Sequence, residues 1–173
     1  MIKIAQFGEG NFLRAFADYY FDVLNEEGVN YEVSIIKPCD YGSLDNFVKQ
    51  KNIYNVVLRG KEKGKPIERI RKISVVKEAF SYSDKEDYER MATDSELRFV
   101  ISNTTEAGIY FSDKDTIDNL KDSSYPAKLT AFLFKRFLSG LGGLYMLPVE
   151  LIDNNADRLK ECVNKYISLW NLP

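Results

Sequence analysis

Two glycines near the start of the chain, Gly8 and Gly10, have the spacing of a phosphate-binding turn. They follow a short apolar segment, residues 2–6, that is typical of a buried strand, and they precede a helical pattern that begins at Asn11. The first glycine would permit a tight turn, and the second would let the backbone approach a pyrophosphate at the helix N-terminus. The spacing favours dinucleotide binding, with Leu13 at the third position of the usual glycine motif.

Other interpretations of this turn remain open. A simple glycine turn and the glycine loop of a methyltransferase would have a similar pattern, whereas a P-loop is excluded because no Gly-Lys-Ser/Thr sequence follows. Arg14 lies in the first turn of the predicted helix. It could reach a cofactor phosphate or be an exposed helix arginine.

The end of the second predicted strand, residues 33–36, would select the cofactor. An acidic residue at this place grips the adenosine ribose in dinucleotide-binding folds. Asp40 stands just beyond Pro38 and is our candidate, whereas Lys37 could favour an additional phosphate or be solvated. These residues alone leave NAD and NADP both open.

Polar residues also follow two later predicted strands. Residues 102–106 come after the buried segment 98–101, where their side chains could hold ribose and amide groups or cap a turn into a helix. Residues 150–155 follow the strand 144–147. Asn154 or Asn155 would cap the last helix, which leaves Glu150 at the mouth of the crevice as the least explained residue.

The elements that must position these residues alternate between strand and helix. The predicted fold class is α/β, a Rossmann-like doubly wound and mostly parallel sheet, as a single dinucleotide-binding domain over residues 1–173. Two extended segments, residues 53–58 and 67–76, flank a polar turn and predict an inserted antiparallel hairpin. The first helix, predicted over residues 11–25, should turn Phe12, Ala15 and Phe16 towards the core.

Composition excludes several function classes. The formal net charge of −2 argues against a nucleic-acid binder, and the chain's short apolar runs predict no membrane partner. The chain contains no histidine, which excludes histidine-based hydrolysis and zinc sites that need histidine within these residues. Two cysteines far apart form no disulfide framework and fit the cytoplasm.

Four blocks of the sequence together resemble one family. Residues 4–16 (IAQFGEGNFLRAF), 102–108 (SNTTEAG), 125–130 (YPAKLT) and 148–155 (PVELIDNN) are similar, in order, to signatures of the mannitol dehydrogenase-type, polyol-specific long-chain dehydrogenases. The nearest branch is the tagaturonate reductases, also called altronate oxidoreductases. The resemblance implies NAD as cofactor, no metal, and a sugar acid or polyol as the small-molecule substrate.

The resemblance also implies roles for individual residues. The pyrophosphate loop would be lined by Gly8, Gly10, Asn11, Phe12 and Arg14. Asn103, Thr104 and Glu106 would lie beside the nicotinamide half, while Glu150 and Asp153 would face the substrate.

The resemblance covers only the family's N-terminal cofactor domain. The family's catalytic Lys-x4-Asn-x2-His pattern belongs to a C-terminal helical domain, and this sequence contains no such pattern and no catalytic residue that we can assign. We therefore expect an NAD-binding domain that is inactive alone and needs that helical domain, from the same longer chain or a separate polypeptide, as its partner. The alternative is a non-catalytic nucleotide-binding module, either a remnant or half of a split enzyme.

Overall fold

A five-stranded parallel sheet lies at the centre of the molecule in the computed structural model, which describes residues 1–105 and 107–173. The strands are β1 (Ile2–Phe7), β2 (Tyr31–Lys37), β3 (Tyr54–Glu62), β4 (Lys65–Ile73), β5 (Val76–Ser81), β6 (Leu97–Ser102) and β7 (Tyr145–Pro148). All but β3 and β4 belong to the parallel sheet, in the order β5-β2-β1-β6-β7. This is the doubly wound order of a Rossmann fold, so the predicted fold class is confirmed.

Six helices accompany the strands in the described part of the chain. They are α1 (Asn11–Ala15), α2 (Ala17–Glu26), α3 (Asp45–Lys49), α4 (Lys85–Ala92), α5 (Tyr125–Leu138) and α6 (Asn155–Leu169). None of them combines the length and the apolar composition that crossing a lipid bilayer would require.

The helix predicted over residues 11–25 differs from the observed one in two respects. It is interrupted at Phe16, whose φ of −111° and ψ of −73° separate α1 from α2. Its buried side is also displaced from the predicted one, because Leu13 and Ala17 pack against the sheet whereas Phe12 and Phe16 are each 46% exposed. The predicted core face was therefore wrong.

The sheet divides the core into two halves because successive side chains of a strand point to opposite faces. On β1, Ile4 packs on the side of α1 and α2, and Ala5 and Phe7 pack on the side of α4 and α5. Gln6 follows the same alternation, and it is fully buried although its side chain is polar. The buried Gln6 side chain lies beneath the glycine turn, where it donates a hydrogen bond to Gly8 O.

The predicted hairpin is confirmed as β3 and β4, which pair antiparallel outside the main sheet. Lys63 and Gly64 form its two-residue turn, both with positive φ, as the hairpin geometry requires. The hairpin is tied to α2 by Asp22, whose carboxylate accepts hydrogen bonds from Arg71 and from the backbone of Ser74.

Candidate functional site

The ends of β1, β6 and β7 meet at the carboxyl edge of the sheet. The Asn103 amide donates to Phe7 O over 3.1 Å, and the Val149 amide donates to Ser102 O over 2.9 Å. A cleft of about 380 Å³ opens at this edge. In open α/β sheets, ligands bind in the crevice at the carboxyl ends of the strands. The cleft is lined by Gly8, Glu9, Gly10, Pro38, Cys39, Tyr41, Asn103, Thr104, Thr105, Ala107, Gly108, Tyr110, Ser123, Ser124 and Tyr125.

The two glycines of the turn have different surroundings. Gly8 has a φ of +123°, and a Cβ atom there would lie only 2.9 Å from Asn103 O. Gly10 has an ordinary φ of −67°, and no protein atom lies within 4 Å of its would-be Cβ. Gly8 is therefore required by the fold itself, whereas Gly10 leaves free space at the wall of the cleft.

Three further residues of the predicted phosphate loop lie in the first turn of α1, directly after Gly10. Asn11 and Phe12 are exposed, and the Arg14 Nη2 atom donates a hydrogen bond to Asn11 Oδ1. Gly10 occupies the N-cap position of α1, and no side chain caps the helix there. A guanidinium group and a side-chain amide therefore lie at the glycine turn.

Glu150 is brought under the loop that follows β6. It is 3% exposed, and its Oε1 atom accepts hydrogen bonds from Thr104 N over 3.1 Å and from Thr104 Oγ1 over 3.2 Å. Its Oε2 atom is buried and has no partner among the described residues. The Asn103 side chain donates to Val149 O over 2.8 Å, so the polar block after β6 is joined directly to the end of β7.

The remaining predicted residues of this region are less engaged. Asp153 is exposed, and Glu106 lies outside the described residues. Asn154 occupies the N-cap position of α6 without a capping hydrogen bond from its side chain. Asn155 instead donates to the carbonyl oxygens of Pro148 and Glu150, which fixes the turn that carries Glu150.

Asp40 and Lys37 do not share the cleft of the glycine turn. Lys37 is buried, and its Nζ atom donates to Gly42 O over 2.6 Å. Asp40 is exposed, accepts a hydrogen bond from Tyr82 OH over 3.3 Å, and lines a second cavity of about 840 Å³ between α4 and α5. The Lys37 ammonium is therefore bound by backbone carbonyl oxygens, whereas the Asp40 carboxylate stays exposed at the surface.

Lys128 on α5 was not identified from the sequence as a site residue. Its ammonium is buried, donates to Pro38 O over 2.8 Å, and lies 3.9 Å from the centre of the Tyr82 ring. Burial lowers the pKa of Lys128 below its ordinary value. A lysine on the apolar side of a helix was the available signal. Lys128 attaches α5 to the segment that follows β2.

A buried polar cluster beneath the glycine turn was also missed. Asp18 on α2 is fully buried, and its Oδ2 atom accepts a hydrogen bond from Tyr54 OH over 2.7 Å. The Gln6 side chain lies next to Asp18, and its amide nitrogen donates to Gly8 O over 3.2 Å. Burial raises the pKa of Asp18 to about 7. This cluster connects β1, α2 and the hairpin to the backbone of the turn.

The described residues contain no candidate metal site. Within residues 1–105 and 107–173, no group of three or more histidine, cysteine, aspartate or glutamate side chains is arranged to hold a metal ion. Cys39 and Cys162 are both free thiols.

Comparison with known proteins gives a consistent result. The family model described as the mannitol dehydrogenase Rossmann domain matches residues 2–170. An altronate oxidoreductase of Phocaeicola vulgatus is 43% identical over 98% of this chain, and one of Yersinia pestis is 44% identical over 99%. The chain spans 37% of the length of each of these curated relatives.

Solved structures share the fold at low sequence identity. Mannitol 2-dehydrogenase of Pseudomonas fluorescens, in a ternary complex with NAD and D-mannitol, superimposes with a TM-score of 0.83 at 17% identity, over 98% of this chain and 38% of that one. A substrate-free D-sorbitol dehydrogenase superimposes with a TM-score of 0.79 at 19% identity, over 96% of this chain and 38% of that one.

Proposed function

The chain belongs to the mannitol dehydrogenase family and forms its Rossmann domain. We propose that it is the cofactor domain of a sugar-acid oxidoreductase and binds NAD(H) at the glycine turn. The observation that carries this proposal is the free space at Gly10, beside a turn that the conformation of Gly8 holds in place. Backbone without a side chain is what a pyrophosphate needs for close approach. When bound, the nicotinamide would supply or accept a hydride.

Each part of the cofactor has candidate partners in this chain. Gly8, Gly10, Asn11, Phe12 and Arg14 would hold the pyrophosphate. Asn103 and Thr104 would lie beside the nicotinamide half, together with Glu106. Among the described residues, Glu150 Oε2 is buried without a donor, which is unfavourable for a carboxylate oxygen and supports a further polar contact beside Thr104.

Asp40 is our candidate for the adenosine ribose. It is the exposed carboxylate just beyond β2, and the neighbouring Lys37 ammonium is engaged by Gly42 O. A carboxylate accepts the ribose hydroxyls and repels a 2′-phosphate. We therefore propose NAD as the cofactor in preference to NADP.

The reaction we propose is the interconversion of tagaturonate and altronate. It rests on the sequence resemblance to tagaturonate reductases and on relatives named altronate oxidoreductase that are 43% and 44% identical. Glu150 and Asp153 would stand on the substrate side. The acid–base group would come from a C-terminal helical domain, because the relatives extend well beyond the length that this chain matches. The two free thiols favour a reducing compartment, and we propose the cytoplasm.

A non-catalytic nucleotide-binding module is the second candidate. It is favoured by the absence of histidine from the sequence and by the contacts of Glu150, whose Oε1 atom is engaged by Thr104. A remnant of this kind would bind NADH but gain no activity when the helical domain of a related enzyme is added, whereas half of a split enzyme would gain activity.

Calorimetric titration with NADH, NADPH and S-adenosylmethionine tests the proposal. We expect NADH to bind, and Gly10→Val to weaken it at least tenfold, about 1.4 kcal/mol, because the valine would fill the space of the pyrophosphate. Gly60→Val is the matched control, since Gly60 lies on the hairpin and also has no atom within 4 Å of its would-be Cβ. Equal NADH affinity in Gly10→Val and the parent would reject the assignment, and tight binding of S-adenosylmethionine alone would favour a methyltransferase.

A further inference from the structure

The segment inserted between β2 and β5 places two aromatic rings against Arg14. The centroids of the Phe47 ring, on α3, and of the Tyr54 ring, on β3, each lie 5.6 Å from the guanidinium carbon. The two rings also contact each other, with centroids 5.7 Å apart. A guanidinium at this distance is attracted by the electron-rich ring faces, which restrict its motion without neutralising its charge.

Tyr54 is itself fixed at both ends. Its backbone pairs with Ile73 in the hairpin, and its hydroxyl group lies 2.7 Å from Asp18 Oδ2 and 3.0 Å from Arg14 O. The ring that faces the Arg14 side chain is therefore anchored through its hydroxyl to the main chain of the same arginine. Because Asp18 is fully buried, this anchor is shielded from water.

Arg14 forms no ion pair within the described part of the chain. Its Nη2 atom donates to Asn11, and its Nε atom is buried without a partner among the described residues. Guanidinium groups recognise phosphate through paired N–H donors, which requires a fixed orientation.

We propose that Phe47 and Tyr54 are positioning residues that hold the Arg14 guanidinium at the glycine turn for the pyrophosphate of a dinucleotide. The inserted segment would then serve cofactor binding, in addition to covering α2. This inference rests on the proposed NAD-binding function.

The test compares two ligands that differ in the pyrophosphate. ADP-ribose contains it and adenosine lacks it, so calorimetric titration with both separates a phosphate effect from a general one. We expect Arg14→Gln to weaken ADP-ribose about tenfold and adenosine less than twofold. Tyr54→Leu and Phe47→Leu should each weaken ADP-ribose binding at least threefold and leave adenosine binding unchanged. Tyr54→Phe, which keeps the ring but loses its hydroxyl anchor, should have an affinity between those of Tyr54→Leu and the parent.

The decisive measurement is the double variant. If Tyr54 acts through Arg14, Tyr54→Leu will have no further effect on ADP-ribose binding in the Arg14→Gln background. Ile70→Ala is the matched control on the same hairpin, because Ile70 is 66% exposed. Thermal unfolding of every variant shows whether it is folded, and Phe47→Leu, which removes no hydrogen bond, replaces Tyr54→Leu in the cycle if that variant unfolds.

Two outcomes would overturn the inference while leaving the proposed function intact. One is additive losses of ADP-ribose affinity in the double variant, and the other is an equal loss of ADP-ribose and adenosine in Tyr54→Leu and Phe47→Leu. A parent protein that binds neither ADP-ribose nor NADH would overturn the proposed function and this inference together.

Discussion

At the scale of single residues, the two glycines of the turn, Gly8 and Gly10, have different roles. Gly8 has a backbone conformation that L-residues rarely adopt, and a Cβ atom there would lie 2.9 Å from Asn103 O. Gly10 meets neither restriction. A substitution at Gly8 should therefore lower the stability of the fold, whereas a substitution at Gly10 should affect the binding of a ligand in the cleft.

We expect Gly8→Ala to lower the free energy of unfolding by about 1–3 kcal/mol, from strain at positive φ and the clash with the Asn103 carbonyl. Gly10→Ala should leave it unchanged within ~0.5 kcal/mol. Urea denaturation of both variants measures the difference. Equal stability of the two variants would show that the backbone at Gly8 relaxes without strain.

Asp40 gives a second prediction at this scale. We expect the parent chain to bind NADH more tightly than NADPH, and Asp40→Asn to narrow that preference, because the carboxylate that repels a 2′-phosphate is removed. Fluorescence titration with both nucleotides measures the ratio. Asp118→Asn is the control, since Asp118 lines the same cavity and is also exposed. Tighter binding of NADPH by the parent would contradict the assignment.

At the scale of elements, the contact between α2, β1 and the hairpin depends on a buried carboxyl group. Gln6 of β1, Tyr54 of β3, Arg14 of α1 and Asp22 of α2 all face Asp18. Asp18 Oδ1 and Gln6 Oε1 are both buried without partners among the described residues. Because neither oxygen has a donor, ionisation of Asp18 in this buried position is unfavourable.

This arrangement predicts a pH dependence of stability. Burial raises the pKa of Asp18 from 3.8 to about 7, so the folded chain binds an additional proton between these values and the free energy of unfolding falls as pH rises through them. Asp18→Asn should abolish this slope and be more stable than the parent at pH 8 by more than ~1 kcal/mol. Denaturation at pH 5 and pH 8 measures it.

Asp113→Asn provides the control for this experiment, because Asp113 is exposed. It should retain the slope of the parent. An Asp18→Asn variant that shows the same pH dependence as the parent would mean that Asp18 is ionised in the folded state throughout this range.

At the scale of the whole molecule, the long segment between β6 and α5 is held by α6. Asp115 receives hydrogen bonds from Tyr166 OH and Ser124 N, and its carbonyl accepts one from Trp170 Nε1. Ser124 and Tyr125 at the end of this segment line the cleft. The cleft is thus completed by contacts within the chain, and we expect cofactor binding without a further domain.

Catalysis needs more than cofactor binding. We predict that the 173-residue chain binds NADH without oxidising it when tagaturonate is added. Hydride transfer to a ketone leaves an alkoxide, and a positioned acid typically contributes about 10²–10⁴-fold to such a step. Glu150 Oε1 is engaged by Thr104, and the sequence contains no histidine. Absorbance at the NADH band measures the reaction, with a full-length altronate oxidoreductase as positive control. NADH oxidation that Glu150→Gln abolishes would contradict the prediction.

Much of the backbone was predictable from the sequence because the patterns that encode it are local. The strand ending at Phe7, the glycine turn and the hairpin turn at Lys63 and Gly64 each depend on residues adjacent in the chain, and the comparisons agree with the resulting fold class. The same local evidence failed for Phe12 and Phe16, since helical spacing identifies an apolar face but not how the helix is rotated against the sheet.

The relations within the site were decided only by the tertiary structure. The sequence allowed Lys37 to bind a phosphate, but in the structure its ammonium donates a hydrogen bond to Gly42 O. Asp40 lines a different cavity from the one at the glycine turn. Tyr54 and Asp18 are 36 positions apart, and no sequence period relates them. The sequence by itself determined which elements form and where the glycine turn lies, because hydrophobic periodicity and backbone freedom act over a few residues. Only packing decided which polar groups are buried together, because that depends on how separate elements meet.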